Sequence, residues 1–408
     1  MGSELRIIAP GKTQHAETIY DLSGKSFDFD SYWGWQDYCR LGYIANSHYD
    51  WNTSRIGLVG DKVVTHFGVW DYQMRIGTGR VRTGGIGAVC TDGRFRKRGL
   101  MAQTAREAVA AMQRGGYDMS VLFGLRDFYH RFGYVRAWNY TSYIVAAEEM
   151  QRYMPSGKCA IKLQKFAWMS RQDLDVLYNR QFSKYVGTAV RPTFMANRWK
   201  VRGRTSSYLW SGPSGETVGY VIVRQHRQSL TCLEAVGDGQ AVLAALAMLC
   251  RRRRATELKF SGLPYDHEVA VLLRRGTCRM ETRLTRSGGA MIRTVSLPGI
   301  LGKITGELSR RLRESHMRHW RGRLLISDEN DRVALTIGRG KVEMAGSITG
   351  RYKHAIRGGW ELAQLIIGTD SPAETTAAAG TKLTGDGEAL VGVLFGQKHP
   401  NLSEWDRF

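Results

Sequence analysis

Apolar positions along the chain follow two rhythms. Residues 54–59, 63–69, 70–77 and 81–91 read as strands, with Gly60-Asp61 as the turn between the first two runs, which predicts an antiparallel meander of four strands. In the last run Val89 and Thr91 stand two apart, so both point the same way from an extended segment. From residue 99 to about 114 the rhythm becomes helical, with Leu100, Ala105, Ala108, Val109 and Met112 near one face. Gly115-Gly116 stops that helix, and Met119-Ser120-Val121-Leu122-Phe123 reads as a buried strand. A helical region precedes the meander.

The same order recurs once. Residues 207–210, 219–223 and 231–236 read as strands, 240–252 as a helix and 258–260 as a further strand, with an additional helix over 173–185. A third segment opens with an amphipathic helix over 295–312 and continues with strands at 323–327, 334–337 and 341–345. A helix is expected over 360–367, and the small-residue stretch 373–381 reads as a loop. Three domains are expected, with boundaries at 1–148, 149–288 and 289–408.

The first meander leads into the most informative turn. Arg94, Arg96, Lys97 and Arg98 cluster ahead of Gly99, where the helix begins. A helix start offers free backbone N–H groups and the positive end of the helix dipole to an anion. Glycine admits close approach, and guanidinium groups add charge-assisted bonds to phosphate. The pattern suits a pyrophosphate cradle; a solvated charge run at a helix start is the plainer alternative. The corresponding turn of the second repeat is Val236-Gly-Asp-Gly-Gln-Ala, where Asp238 would repel a diphosphate.

Residues 127–134 read Asp-Phe-Tyr-His-Arg-Phe-Gly-Tyr. With the basic turn, they make the first segment resemble the GNAT acyl-CoA-dependent N-acetyltransferases. Arg96, Gly99 and Met101 occupy that family's Arg/Gln-x-x-Gly-x-Gly/Ala positions. Phe128, Tyr129, Gly133 and Tyr134 match its Phe-Tyr-x-x-x-Gly-Phe/Tyr segment. Met101 is larger than the usual residue, and Gly93 stands where relatives often carry Pro. Two such halves followed by a strand-rich tail resemble the enhanced-intracellular-survival family. The fold class this implies is α+β: two tandem acetyltransferase-like domains, the second degenerate, and a sterol-carrier-protein-like C-terminal domain.

That resemblance implies acetyl-CoA as co-substrate. Backbone groups of Val89, Cys90 and Thr91 would meet the pantetheine arm, and Arg96, Lys97, Arg98, Gly99 and Leu100 would hold the pyrophosphate. Tyr129 matches the family's general acid; its phenol, of reference pKa about 10, can protonate a departing thiolate. A packed aromatic cluster with Phe123, Phe128, Phe132 and Tyr134 is the alternative. The family's base is the C-terminal carboxylate, here that of Phe408. An α-carboxyl of reference pKa about 3.5 is a weak base in water, and burial would raise it. A hydrophobic anchor is the alternative for Phe408, and His130 is a rival base. Asp28, Asp30, Trp33, Trp35 and Asp37 suit an acceptor pocket for a cationic amine, or else a half-buried amphipathic helix.

Composition narrows the partners. With 408 residues, 59 Lys and Arg against 37 Asp and Glu give a net charge of +22, which attracts polyanions at long range. The charge is spread along the chain, and no zinc-finger or RNA-recognition pattern occurs, so nucleic acid is an unlikely partner. The one dense run, Arg251 to Arg254, follows an apolar helical stretch, where cations suit a helix C-terminus. No run of eighteen apolar residues exists to span a membrane, and Met-Gly-Ser-Glu-Leu-Arg has no apolar signal core. Six scattered cysteines without a Cys-x-x-Cys pattern suit reduced thiols in the cytoplasm, with no metal site. The expected activity is acetyl transfer to a primary amine of an aminoglycoside-like molecule, a polyamine or a lysine, and the resemblance implies a homo-oligomer, a trimer or hexamer. Rival readings are an aminoacyl-tRNA-dependent transferase and a lipid- or small-molecule-binding protein with a relic acetyltransferase domain.

Overall fold

The computed structural model describes residues 4–27, 32–154, 161–166, 172–193, 205–285, 287–378 and 380–408. Three sheets organise them. The first has the order β1 (Leu5–Ile8), β2 (Arg55–Val59), β3 (Lys62–Ile76), β4 (Gly79–Thr91), β5 (Met119–Gly124), then β14 (Gly289–Thr294) and the short β6 (Val135–Arg136). Only the β4–β5 pair in it is parallel, joined by the crossing helix α3 (Leu100–Arg114). Helices α1 (Lys12–Ser26) and α2 (Tyr32–Tyr38) precede β2.

The second sheet repeats this plan. Strands β9 (Thr205–Ser211), β10 (Thr217–His226) and β11 (Ser229–Val236) form an antiparallel meander. The helix Gly239–Arg253 then crosses to β12 (Glu257–Ser261), parallel to β11. Beyond β12 come β7 (Tyr140–Ala146) and β13 (Arg279–Arg283), and β8 (Gln164–Phe166) closes the other edge.

The two sheets exchange strands. β7 precedes the second half in sequence yet lies between β12 and β13, whereas β14 follows that half and lies between β5 and β6. The cuts expected at 148 and 288 therefore do not follow the sheets. Alternation reveals a strand but not its neighbour, so this exchange is invisible to local pattern.

The third sheet has the order β17 (Lys341–Met344), β16 (Arg332–Gly338), β15 (Gly322–Ser327), β18 (His354–Arg357), β19 (Lys382–Thr384). The helix Leu297–Arg313 begins with Ser296, whose Oγ accepts from Gly299 N at 3.1 Å. Its apolar face, Ile300, Leu301, Ile304, Leu308 and Leu312, shares one core with Trp70, Met74 and Val81 of the first sheet and Leu324 and Ile326 of the third. The first and third parts are thus packed as one body.

Two local expectations change. The runs 63–69 and 70–77 form one strand, β3, because the pairing with β4 runs on through Trp70↔Gly85; the Trp70 Nε1 donates to Tyr43 O at 2.8 Å and Ser47 Oγ at 2.9 Å. The stretch 373–381 is not all loop: Pro372–Ala378 is helical, begun by a capping box in which Ser371 Oγ accepts from Glu374 N at 3.2 Å and Glu374 accepts from Ser371 N at 3.1 Å.

Candidate active site

β4 and β5 part in the middle of the first sheet. Their parallel pairing runs from Thr83↔Met119 to Ile86↔Leu122 and stops there in the described residues, although β4 continues to Thr91. On its other side β4 slips against β3 between His66 and Gly68, and Ala88 takes a positive φ of 47°. Such a backbone costs a non-glycine residue of order 1 kcal/mol and needs support. His66 Nδ1 bonds the Ala88 carbonyl at 2.7 Å, and the Tyr43 hydroxyl lies against the Ala88 amide. A carbonyl only accepts, so Nδ1 carries the proton and Nε2 accepts from the Tyr49 hydroxyl at 2.8 Å. This bulge turns the end of β4 away from β5 and opens a gap.

The basic turn closes one end of the gap. Asp92 Oδ1 accepts from Arg94 N at 3.0 Å, and the carboxylate also pairs with Lys62, which holds its pKa well below the usual carboxylate range. Arg96 Nε donates back to Thr91 O at 3.3 Å. The Phe95 ring sits between the Lys62 ammonium and the Arg98 guanidinium, 5.2 Å from each. Lys97 and Gly99 both have positive φ, 62° and 74°, and Gly99 caps α3 with open space around it. Arg94, Arg96, Lys97, Arg98 and Gly99 are exposed, and Leu100 is half-buried. This is a helix N-terminus with unshielded amides ringed by cations. α3 is held behind it by Thr104 Oγ1, 2.8 Å from Thr65 Oγ1, and by Ala105, Ala108, Val109 and Met112 packed on Phe67, Val69 and Leu122.

Val89 and Thr91 are half-buried on the β4 edge, whereas the Cys90 side chain is buried towards α1, its Sγ 3.8 Å from Ser23 Oγ. Burial pushes the Cys90 thiol up to about 12. Cys90 stands in register with His66, and two residues on Asp92 N donates to Val64 O at 2.9 Å, so the Cys90 backbone groups face β3, and the backbone left for the gap is that of its neighbours Val89 and Thr91.

Tyr129 opens the 3-10 turn Tyr129–Phe132, which ends at Gly133 with φ 78°. Its ring lies on Gly124 at the end of β5; a Cβ there would come within 2.4 Å of the ring, so only glycine fits. Phe128 packs edge-on at 4.9 Å, and burial raises the Tyr129 phenol well above its ordinary pKa. Tyr134 OH meets Ser120 Oγ at 2.7 Å, and Ser120 bonds Gly84 O at 2.9 Å, which fixes the turn to both strands of the gap. His130 is exposed, in a cleft with Arg126, Asp127 and Ser287.

Phe408 lies on the other face of the same strands. Its ring sits on Gly85, where a Cβ would approach within 2.2 Å, and its carboxyl carbon lies 3.2 Å from where a Gly87 Cβ would be. The rings of Tyr72 and Phe123 are each 5.7 Å from that of Phe408, and the Arg407 guanidinium covers Phe123 at 4.6 Å. Tyr129 belongs to the core cluster on the α3 side, whereas Phe408 packs against the cluster that includes α1. The gap is therefore flanked from both faces. The two flat seats, Gly85 and Gly87, carry no motif and were missed in the sequence, as were His66 and Tyr43.

Of the expected acceptor-pocket residues, the side chains of Trp35 and Asp37 lie among those described. Trp35 is buried against Phe27, Tyr38 and Tyr43, at 5.1, 5.5 and 5.6 Å, so it packs the core instead of lining a pocket. Asp37 is exposed and faces Arg40 at 3.8 Å. Asp28, Asp30 and the side chain of Trp33 lie outside the described residues. Among the described residues no group of three or more His, Cys, Asp and Glu side chains could hold a metal, and no helix is long and apolar enough to cross a membrane.

The second repeat has no such cradle. Asp238 Oδ1 accepts from Ala241 N at 2.9 Å and Glu268 Oε2 from Gly239 N at 3.2 Å. Two carboxylates already occupy that helix start. Arg251 to Arg253 form the last turn of the same helix, as expected of cations at a C-terminus.

Burial of His66 depresses its pKa to about 4, and the same cause puts His267 at about 4. An unfolded-chain histidine titrates near ~6.5, so on acidification the unfolded state takes up protons first. Stability from these rings is complete above pH ~6.5 and is lost as pH falls towards about 4, by about 2 kcal/mol each at pH ~5. Urea midpoints at pH about 7.5 and 5 check this, and His66→Gln should flatten the dependence. Equal midpoints would contradict it.

A sheet split beside a cation-ringed helix start, with a tyrosine at the split, is an arrangement suited to acyl transfer. Residues 9–137 match the family model described as Acetyltransferase (GNAT) domain, so the first part of the chain is a GNAT domain. No curated protein matches the chain. Solved structures share the fold across the whole length. A GCN5-related N-acetyltransferase from Anabaena variabilis has a TM-score of 0.78 at 16% identity, covering 99% of this chain and 100% of its own. A probable N-acyltransferase of unknown function from Enterococcus faecalis has 0.78 at 17%, covering 100% of both. Eis1 from Mycobacterium abscessus has 0.70 at 14%, covering 99% and 100%.

Proposed function

We propose that the chain transfers an acetyl group from acetyl-CoA to the primary amine of a small molecule or a lysine, as a member of the enhanced-intracellular-survival group. The single observation that carries this is the convergence of Tyr129, Phe408 and the basic turn on one gap between β4 and β5. The amides of Gly99 and Leu100, with Arg96, Lys97 and Arg98, would hold the pyrophosphate, and the backbone of Val89 and Thr91 the pantetheine arm.

The amine nitrogen attacks the thioester carbonyl; a C–N bond forms and the C–S bond breaks. The amine's proton passes to the Phe408 carboxylate, directly or through water, and the departing thiolate takes the Tyr129 proton. The Tyr129 phenol is protonated at neutral pH, as the donor of that proton must be until the thiolate leaves. The carboxylates on the second helix start support a degenerate second domain without cofactor. The helix-backed third sheet fits a sterol-carrier-like part, and a homo-oligomer in the cytoplasm completes the reading.

The test is thiol release from acetyl-CoA against a panel of aminoglycosides, polyamines, amino acids and lysine peptides, with mass spectrometry of the acceptor. Amine-dependent release with a gain of one acetyl group is expected. Silence across the panel together with no binding of coenzyme A would overturn the reading.

A further inference from the structure

The last residues of the chain are tied down by a charged cluster in the interior. Arg191 donates through Nε and Nη2 to the Asp406 carboxylate at 3.0–3.2 Å and through Nη1 and Nη2 to Glu234 at 2.8 and 2.6 Å. All three side chains are almost wholly buried, at 0%, 1% and 2% exposure. Among the described residues, two carboxylates bond one guanidinium here. Hydroxyl groups solvate the surplus charge: Thr193 donates to Asp406, and Tyr220 and Ser403 donate to Glu234 at 2.8 and 2.6 Å.

Each member belongs to a different part of the molecule. Glu234 is on β11 of the second sheet, and Asp406 is two residues from Phe408. Arg191 follows a segment bonded along β3 of the first sheet: Arg75 N to Thr188 O at 2.8 Å, Gly187 N to Arg75 O at 2.9 Å and Val190 N to Gln73 O at 2.9 Å. The cluster therefore fixes the tail against both sheets at once. Two residues span at most about 7 Å, so fixing Asp406 confines Phe408 to the neighbourhood of Gly85 and Gly87. Buried ion clusters are seldom the most stable solution, since apolar replacements are often as stable. What this one supplies is a direction for the chain.

We propose that Asp406, Arg191 and Glu234 are positioning residues that aim the Phe408 carboxylate into the gap, and that this is the catalytic contribution of the cofactor-free second domain. The proposal rests on the carboxylate serving as base. Asp406→Asn is the variant of choice, because it leaves Arg191 and Glu234 as a balanced pair. Its expected effect is a fall in kcat of roughly tenfold or more, with KM for acetyl-CoA and the melting midpoint nearly unchanged. In a chain ending at Arg407 the same substitution should cost nothing further, since the group it positions is gone.

Full kcat in Asp406→Asn, or an equal loss with and without Phe408, would overturn the positioning role. Full activity of the chain ending at Arg407 would instead sink the carboxylate base itself. Should Asp406→Asn fail to fold, Asp406→Glu keeps the charge on a longer arm. A lower kcat at an unchanged melting midpoint then supports the proposal, and full kcat overturns it.

Discussion

Tyr129→Phe is expected to lower kcat by about 10²- to 10⁴-fold, the range a positioned general acid contributes. KM for acetyl-CoA should stay within about threefold, because the ring and its packing are kept. The reason lies in the seat. The ring rests on Gly124 and against Phe128, and neither contact involves the hydroxyl. Removing one oxygen therefore leaves the turn in place and deletes only the proton donor. The thiolate must then leave unprotonated or draw on water. Single-turnover and steady-state rates with the best acceptor separate the cases. Equal turnover would assign Tyr129 to packing, the alternative that the surrounding aromatic residues already suggest in the sequence.

The largest stability loss should come from Arg191→Met, at about 3–5 kcal/mol, the cost of leaving buried charge without its partner. Glu234 and Asp406 would then face each other across the space of the lost guanidinium, with the hydroxyl groups of Thr193, Tyr220 and Ser403 still donating to them and the charge of Arg75 acting on Asp406 from further off. Arg191→Lys should not restore the loss. One ammonium cannot make the paired bonds that Nε, Nη1 and Nη2 make to two carboxylates, nor lie over the Tyr178 ring, where the guanidinium sits at 3.5 Å. Urea denaturation of the three chains measures this. A midpoint for Arg191→Met equal to that of the parent would show that the cluster carries no net pairing energy. This stability effect differs from the rate effect of Asp406→Asn: the first unbalances the cluster, and the second releases the tail from a cluster that stays balanced.

Much of the candidate site was legible because its chemistry is local. The turn from Asp92 to Gly99 and the helix behind it are set by neighbours a few residues apart: a capping carboxylate, a glycine where φ is positive, and an apolar face at helical spacing. The Phe-Tyr-x-x-x-Gly segment is likewise a single turn with its glycine at φ 78°. Trp35 shows the opposite case. A tryptophan between acidic residues reads equally as a pocket wall or as a buried packing residue, and only the rings of Phe27, Tyr38 and Tyr43 around it decide for packing.

By itself, the sequence determined the alternation of strands and helices, the repeated strand-helix-strand plan, the basic helix start and the contrast with Asp238 in the second repeat. All of these depend on backbone preference and side-chain spacing over a few residues. The tertiary structure alone decided the exchange of β7 and β14 between sheets, the bulge at Ala88 held by His66, and the seat of Phe408 on Gly85 and Gly87. It alone brought Arg191, Glu234 and Asp406 together, residues separated by 43 and 215 positions from the arginine. Such contacts close long loops, and their partners are chosen by packing and by the cost of leaving charge unpaired in the interior; no short window of residues contains that choice.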